Sequence, residues 1–338
     1  MAITIKDVAK AANVSIATVS LVMHNHRRIS KDTKVKVMEV IEKLNYRPSR
    51  SARGLVSRRT GNVGFILTND HFLRTEPFYT HIFIGTEIEA RDHDFYILLN
   101  TIDSHFTEKD QLPRFILDKN VDGVIVAGKV SNILIDKLSS LSLPVVYIDY
   151  VPSNKNSSTV LVDNIMGGKI ATNHLIKLGH RNIGFIGGDI EHPSISDRYK
   201  GYRQAIEAEG LPMGSNLIET LEDYPARTNG YNAAKRLFSI NPDITAVFAC
   251  NDAMALGVIN YLKDRGLRIP QDISVIGFDD VVSESTVDPP LCTVKVPTVE
   301  MGMEAMKLIS SHLKNFNGYP QKVMVPVELV VRQSTRKL

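Results

Sequence analysis

Residues 4–25 read TIKDVAKAANVSIATVSLVMHN, and the character of the first part of the chain turns on how this stretch is parsed. Thr4 and Asp7 form the T-x-x-D pattern that opens a helix, with Thr4 expected to reach toward the backbone near Asp7. Val8, Ala9 and Ala12 then repeat at helical spacing until Asn13-Val14 breaks the run. Ser15 is a second N-cap, and Val19, Val22 and Met23 form the apolar stripe of a second helix. Two short helices joined by so tight a turn read as helix-turn-helix. Ile16, Ala17, Ser20, Leu21 and His24 fall on the face opposite the stripe. Branched apolar side chains are wasted there in water, but they suit a DNA major groove, where they can meet thymine methyls. The plainer alternative is a three-helix subdomain buried against something else.

Charge favours the first reading. The whole chain of 338 residues carries a net charge of only +3, but residues 1–60 hold 13 Lys or Arg against 4 Asp or Glu. The remaining residues hold 27 against 33, so a basic head sits on a mildly acidic body. The length implies two or three domains. Cys250 and Cys292 lie in apolar runs and read as buried, reduced thiols. The N-terminus enters a helix pattern with no apolar leader, and no run is long enough to span a membrane, so the expected compartment is the cytoplasm.

After the basic loop HNHRRIS at 24–30, Ser30 caps a third helix with Val37, Ile41 and Leu44 on one face. That closes a helix-turn-helix head over 1–46. Residues 47–60 hold Pro48, several arginines and few apolar side chains, too few to fold alone, and read as a linker that turns helical once its charge is neutralised. From Gly61 the pattern alternates. The runs VGFIL, FYILL, GVIVA and PVVYID suit strands buried on both faces, with helical patterns such as Ile82 to Ala90 and Leu112 to Leu117 between them. A second series follows in VLVD, IGFIGG, AVFAC and ISVIGF, and the last stretch, KVMVPVELVVRQST, is extended. The fold class is therefore α/β: an all-α head and a core, 61–338, of two doubly wound parallel-sheet lobes. Ligands of such folds bind at the carboxyl ends of strands, so the residues just after these runs carry most interest.

The segments TIKDVAKAANVSIATVS, NYRPSRSARGL, GHRNIGFIGG, CNDAMALGV, ISVIGFDD and VVRQST occur in this order along essentially the whole chain. In them the sequence resembles the lac repressor (LacI) family of transcription regulators. The resemblance implies a hinge helix in the linker and a core like the periplasmic sugar-binding proteins. It implies three crossings between lobes, near 160–163, 288–292 and 321–325. Lobe 1 would then comprise 61–160 and 292–322, and lobe 2 would comprise 161–290 and 325–338. It makes Ser15 to His24 the recognition helix, with Ile16, Ala17 and Leu21 where the family reads bases. Relatives often carry arginine where this chain has Leu21, so its operator should differ at the matching base pair or lean more on the hinge. Thr4, Ser15, Thr18 and Ser20 suit phosphate contacts, and Arg27, Arg28, Lys31, Arg50 and Arg53 add charge. Leu55 matches the leucine that relatives wedge into the minor groove.

Asn69, Asp149, Asn251 and Asp279 each follow an apolar run, and Arg198 lies near the start of the helix SDRYKGYRQAIEAEG. At matching positions the family lines its ligand cleft, and Phe78 and Tyr224 resemble further pocket residues able to pack against a sugar face. The donor and acceptor set of Asp, Asn and Arg independently suits a neutral polyol. Asp252 reads as the cap of the helix that follows it, and Met166-Gly167-Gly168-Lys169 lacks the Ser or Thr that a P-loop needs.

These readings converge on a ligand-responsive repressor of carbohydrate-utilisation genes that binds a pseudo-palindromic operator as a homodimer under the control of a sugar effector. With no terminal heptad segment, the dimer is the expected assembly, and the helices around Ile82–Ala90 and Leu134–Leu141 are candidates for its face. Alternatives are control by a nucleobase or nucleoside, control by a phosphoprotein corepressor, or a solute-binding protein with no DNA role. No nucleophile motif, dinucleotide fingerprint or metal-spaced His or Cys cluster is visible, so no enzyme activity, cofactor or metal is expected, and no membrane partner.

Overall fold

A computed structural model of the chain describes residues 3–23, 29–46, 59–72, 77–152, 157–281, 287–314 and 319–338. The chain divides into two compact units, Met1–Gly61 and Asn62–Leu338.

The first unit holds α1 (Ile5–Ala12), α2 (Ile16–Met23) and α3 (Lys31–Lys43). Val8, Ala12, Val19 and Val37 are fully buried and form its core, closed by Tyr46. At the start of α1 the capping contact runs from Asp7 back to Thr4. The Asp7 carboxylate accepts from the Thr4 N–H at 2.8 Å and from its hydroxyl at 2.7 Å. The backbone bond above all holds the Asp7 carboxyl below its ordinary range. Asn13 ends the helix in the left-handed region, at φ 52°, a conformation asparagine tolerates well. The Ser15 hydroxyl accepts from the Thr18 N–H at 3.0 Å, and Ser30 does the same for Thr33 at 3.3 Å, so both serine caps form. The hinge expected over 47–60 lies, for 47–58, outside the described residues.

The second unit begins with β1 (Asn62–Thr68), α4 (Asn69–Phe72), α5 (Phe78–Asp92), β2 (Tyr96–Ile102), α6 (Arg114–Leu117), β3 (Gly123–Ala127), α7 (Asn132–Ser139), β4 (Val145–Ile148) and β5 (Ser158–Val162). It continues with α8 (Asn164–Lys177), β6 (Ile183–Ile186), α9 (Pro193–Ala208), β7 (Ile218–Glu219), α10 (Arg227–Ile240), β8 (Ala246–Ala249), α11 (Asp252–Asp264) and β9 (Ser274–Ile276). The last elements are β10 (Thr293–Lys295), α12 (Thr298–Lys314), β11 (Lys322–Val325) and β12 (Glu328–Val330). One sheet has the order β11-β5-β4-β3-β1-β2 and the other β7-β6-β8-β9, all pairs parallel. β10 and β12 form a separate antiparallel pair.

The eight apolar runs all become strands, the inner ones covered on both faces and the edge strand β2 only in part. In the first sheet Phe65, Leu67 and Ile125 belong to the core that includes Ile82 of α5 and Met301 of α12. Their neighbours Ile66, Val124 and Val126 belong to the opposite core with Ile116 of α6 and Leu134 of α7. The run VLVD, read as opening the second series, instead extends the first sheet, pairing Ile148 with Val160 and Val162 with Val325. The chain passes between the sheets three times: from β5 into α8, from β9 through β10 into α12, and from β11 to β12. The C-terminal residues return to the second lobe, where Val275 donates to Ser334 O at 2.8 Å.

Leu134, Ile135 and Leu138 are fully buried, so the helix around Leu134–Leu141 spends its apolar face on the core and does not offer one to a partner. α5 behaves differently: Ile82 is buried, but Ile84 and Ile88 remain 44% and 41% exposed. Cys250 and Cys292 are free and buried. Among the described residues no helix is long and apolar enough to cross a membrane, and no group of His, Cys, Asp or Glu is placed to hold a metal ion.

Candidate functional site

The face of α2 opposite its buried stripe is exposed. Ile16 and Leu21 are 45% and 36% exposed, and Ala17 between them is exposed as well. Burial of Val19 and Val22 turns α2 so that these three side chains face outward. Thr4 is exposed, while Thr18 and Ser20 are half-buried. The Ser15 and Thr18 hydroxyls lie 2.8 Å apart, so each already has one partner at the start of the helix. Arg27, Arg28, Arg50, Arg53 and Leu55 lie outside the described residues.

In the second unit, the carboxyl ends of strands from both sheets enclose a cavity of about 690 Å³. Phe78, Asp149, Arg198, Tyr224, Asn251 and Asp279 line it. Asn69 does not: it is exposed at the start of α4, and the polar lining beside it comes from Thr68 and Asp70.

Arg198 is the most heavily committed side chain of the cleft, only 5% exposed. Its Nε donates to Asn164 Oδ1 at 2.9 Å and its Nη1 to the Cys250 carbonyl at 2.8 Å. Nη2 lies 3.0 Å from Asp279 Oδ1, and the guanidinium stacks 3.8 Å over the Phe278 ring. Two glycines let this constellation form. A Cβ at Gly168 of α8 would fall 2.3 Å from the Arg198 carbonyl, and one at Gly167 would fall 2.6 Å from the Phe278 ring. The Gly167-Gly168 pair is therefore a packing device for α9 and Phe278.

Asp279 and Asp280 both adopt positive φ, 109° and 59°, and Asp149 does so at 57°. Such backbone costs about 1–3 kcal/mol per residue where the side chain is not glycine, and it persists where surroundings impose it. Here Asp279 N–H donates to Val294 O at 2.8 Å and its carbonyl accepts from Val296 N–H at 3.1 Å. The residue that pairs with Arg198 is thus also clamped to the segment that crosses between lobes. Asp149 is 6% exposed and accepts from the Tyr79 hydroxyl at 3.0 Å and the Ser194 hydroxyl at 2.8 Å. Tyr79 stacks on His71 at 4.3 Å and meets Phe78 edge-on at 5.0 Å, which gives the cleft an aromatic wall.

The N-cap role expected of Asp252 belongs to Asn251, whose Oδ1 accepts from Met254 N–H at 2.8 Å while its Nδ2 donates to Pro225 O at 3.1 Å. Asp252 is 1% exposed and accepts from the Thr293 hydroxyl at 2.6 Å and Val281 N–H at 3.1 Å. Burial, then the charge of Asp279, pushes its carboxyl up to about 8. Burial likewise pushes the Cys250 thiol up to about 12. Burial acts upward on Cys292 too, but hydrogen bonds from His174, Thr335 and the Arg332 N–H outweigh it and bring that thiol to about 7.

Contacts among the described residues cross the cleft. Asp149 of the first lobe meets Ser194 of α9, Lys129 meets Asp189 at 3.4 Å, and the Tyr224 hydroxyl reaches Asp70 O at 3.5 Å. Lys129, Ser104, His105 and Asp189 line the cavity and were not singled out from sequence, although each follows a strand within a few residues. Tyr79 and Ser194 sit on helices, where that rule gives no signal.

Residues 4–49 match the model of bacterial regulatory proteins of the lacI family, and residues 172–335 match that of the periplasmic binding protein-like domain. Catabolite control protein A of Priestia megaterium is 34% identical over 338 residues, covering 99% of this chain and 100% of that protein. The solved structure of the transcriptional regulator CelR in complex with cellobiose is 30% identical, with a TM-score of 0.74 over 98% of this chain and 99% of that one. The lac repressor dimer bound to operator and the anti-inducer ONPF shares the fold at a TM-score of 0.81 and 22% identity, over 99% of this chain and 100% of that one. With that full-length identity and the matched head, the chain belongs to the lacI family of bacterial regulatory proteins and is a ligand-responsive, DNA-binding transcription regulator.

Proposed function

We propose that this regulator is a dimeric repressor of carbohydrate-utilisation genes whose effector is a neutral sugar held in the cleft between the lobes. The observation that carries the reading is the charge balance of the cavity. Arg198 is paired with Asp279 and Lys129 with Asp189, while Asp149 receives neutral hydroxyls. An anionic ligand would meet paired cations and added carboxylates from Asp70 and Asp223. A polyol instead finds acceptors on Asp149 and Asp279, remaining donor capacity on Arg198 and Asn251, and a ring surface in Phe78 and Tyr79. The cellobiose bound by CelR supports the same class.

On DNA, Ile16, Ala17 and Leu21 would read thymine methyls, with Thr4, Ser15, Thr18, Ser20 and the basic residues Arg27, Arg28, Arg50 and Arg53 on phosphates and Leu55 in the minor groove. Ile84 and Ile88 of α5 and Leu99 of edge strand β2 are exposed apolar residues of the first lobe, which supports that face as the dimer contact. A regulator of this kind works in the cytoplasm and needs no catalytic step. Thermal-shift screening of the full chain against sugars and nucleosides, followed by operator gel shift with each hit, tests the reading. Stabilisation by a sugar with a change in operator retention is expected; stabilisation by nucleosides and by no sugar would overturn it.

A further inference from the structure

The cavity is built along four adjacent strand ends of each sheet. In the first lobe its lining follows adjacent strand ends in order: Asp149 after β4, Lys129 after β3, Asp70 after β1 and His105 after β2. In the second lobe the order is Asp279 after β9, Asn251 after β8, Asp189 after β6 and Tyr224 after β7. The cross-cleft contacts join the two series in the same order, with β4 facing α9, β3 facing β6 and β1 facing β7. Neighbouring strands stand about 4.8 Å apart, so four strand ends extend roughly 14 Å. A single pyranose with its hydroxyls covers little more than one such spacing.

Volume leads to the same conclusion. With these contacts bridging the cleft, the space between the lobes is about 690 Å³ and stays open on one side. Sites of this size enclose ligands of some twenty or more heavy atoms, and a monosaccharide would leave most of the space to water. Polar groups also stand at both ends. Arg198 and Asp279 mark the inner end by the crossing segments, and His105 and Tyr224 mark the outer end.

We propose that the effector is an extended glycan, at least a disaccharide, with one ring in the inner subsite of Asp149, Arg198 and Asp279 and the next ring in the outer subsite of His105 and Tyr224. The proposal rests on the carbohydrate reading above and adds chain length to it. The Lys129–Asp189 pair follows β3 and β6, between the two ends, and would face the linkage.

Titration calorimetry on the full chain tests this with matched series of one, two and three units: glucose, cellobiose and cellotriose, with the corresponding maltose, xylose and mannose series. In the series that binds, the disaccharide should bind at least about tenfold more tightly than its monosaccharide, since one or two added hydrogen bonds suffice for that factor. His105→Ala, an exposed residue whose loss spares the core, should narrow that ratio by about fivefold or more, and Asp279→Asn should weaken every member of the series. A monosaccharide that binds as tightly as its disaccharide, with the ratio unmoved by His105→Ala, overturns the extended site and leaves the carbohydrate reading standing. Failure of every saccharide to bind overturns both.

Discussion

Replacing Arg198 with methionine removes the guanidinium and keeps much of its apolar bulk over Phe278. Four interactions go with it: the ion pair to Asp279 at 3.0 Å, the bonds to Asn164 and Cys250 O, and the stack on Phe278. Both members of the pair are more than nine-tenths buried, Arg198 at 5% and Asp279 at 8% exposure, so Asp279 would be left as an uncompensated buried charge. Breaking a buried pair from one side costs about 3–5 kcal/mol, and most of that is the stranded partner. Asp279→Asn keeps an oxygen toward Nη2 and should cost less, about 1–2 kcal/mol. The double variant no longer strands a carboxylate, so its cost should fall short of the sum by about 2 kcal/mol or more. The chain has no tryptophan, so urea unfolding is best followed by far-ultraviolet circular dichroism. A cost below about 1 kcal/mol for Arg198→Met, or strict additivity in the double variant, would refute the view that this pair holds the inner wall of the cleft.

Three further outcomes are expected. Leu21→Arg should move operator preference toward guanine at one symmetric position of each half-site, read by selection from a randomised operator pool; an unchanged consensus would show that Leu21 does not face the bases. Asp252 keeps its proton to about pH 8 in the folded chain, against 3.8 for the ordinary group, so its stabilising contribution is complete below about pH 4 and is lost as pH rises through about 8. Asp252→Asn can still accept from Val281 N–H and can donate to the Thr293 hydroxyl, so it should flatten that loss; an unaltered pH profile would exclude Asp252 as its source. His180 and His312, both lowered by burial, act in the opposite sense and weaken the fold as pH drops below about 6.5, which is why the comparison is made between variant and parent. Gly168→Ala would drive a Cβ to 2.3 Å from the Arg198 carbonyl, so it should cost about 1–3 kcal/mol and weaken saccharide binding in calorimetry, whereas unchanged affinity would mean α9 need not sit so close.

Most of the strands were legible because a strand covered on both faces leaves an uninterrupted apolar run, and the eight apolar runs are strands, the edge strand β2 included although it is only partly covered. β7 has two residues and β10 three, too short to leave a pattern. VLVD could not be assigned to a sheet from sequence, because its partners Val146 to Ile148 and Lys322 to Val325 stand far from it along the chain on one side. Apolar periodicity likewise marks a face without saying what covers it. Leu134, Ile135 and Leu138 meet the core, whereas Ile84 and Ile88 remain outside it. In the cleft, the strand-end rule reached Asp149, Asn251 and Asp279, and the family resemblance supplied Phe78, Arg198 and Tyr224. Asn69 missed because β1 runs through Thr68 and the chain turns into α4 there. The cap fell to Asp252 in place of Asn251 because either side chain can cap a helix, and only the placement of Thr293 and Val281 around Asp252 decides between them.

The most direct test of a sugar-controlled switch is operator affinity of the full-length dimer, measured by fluorescence anisotropy with and without a saturating saccharide that binds it. Coupling of about 1–3 kcal/mol predicts that operator affinity shifts about 5- to 150-fold, and that Arg198→Met abolishes the shift. A saccharide that saturates the cleft while operator affinity stays the same would contradict the account.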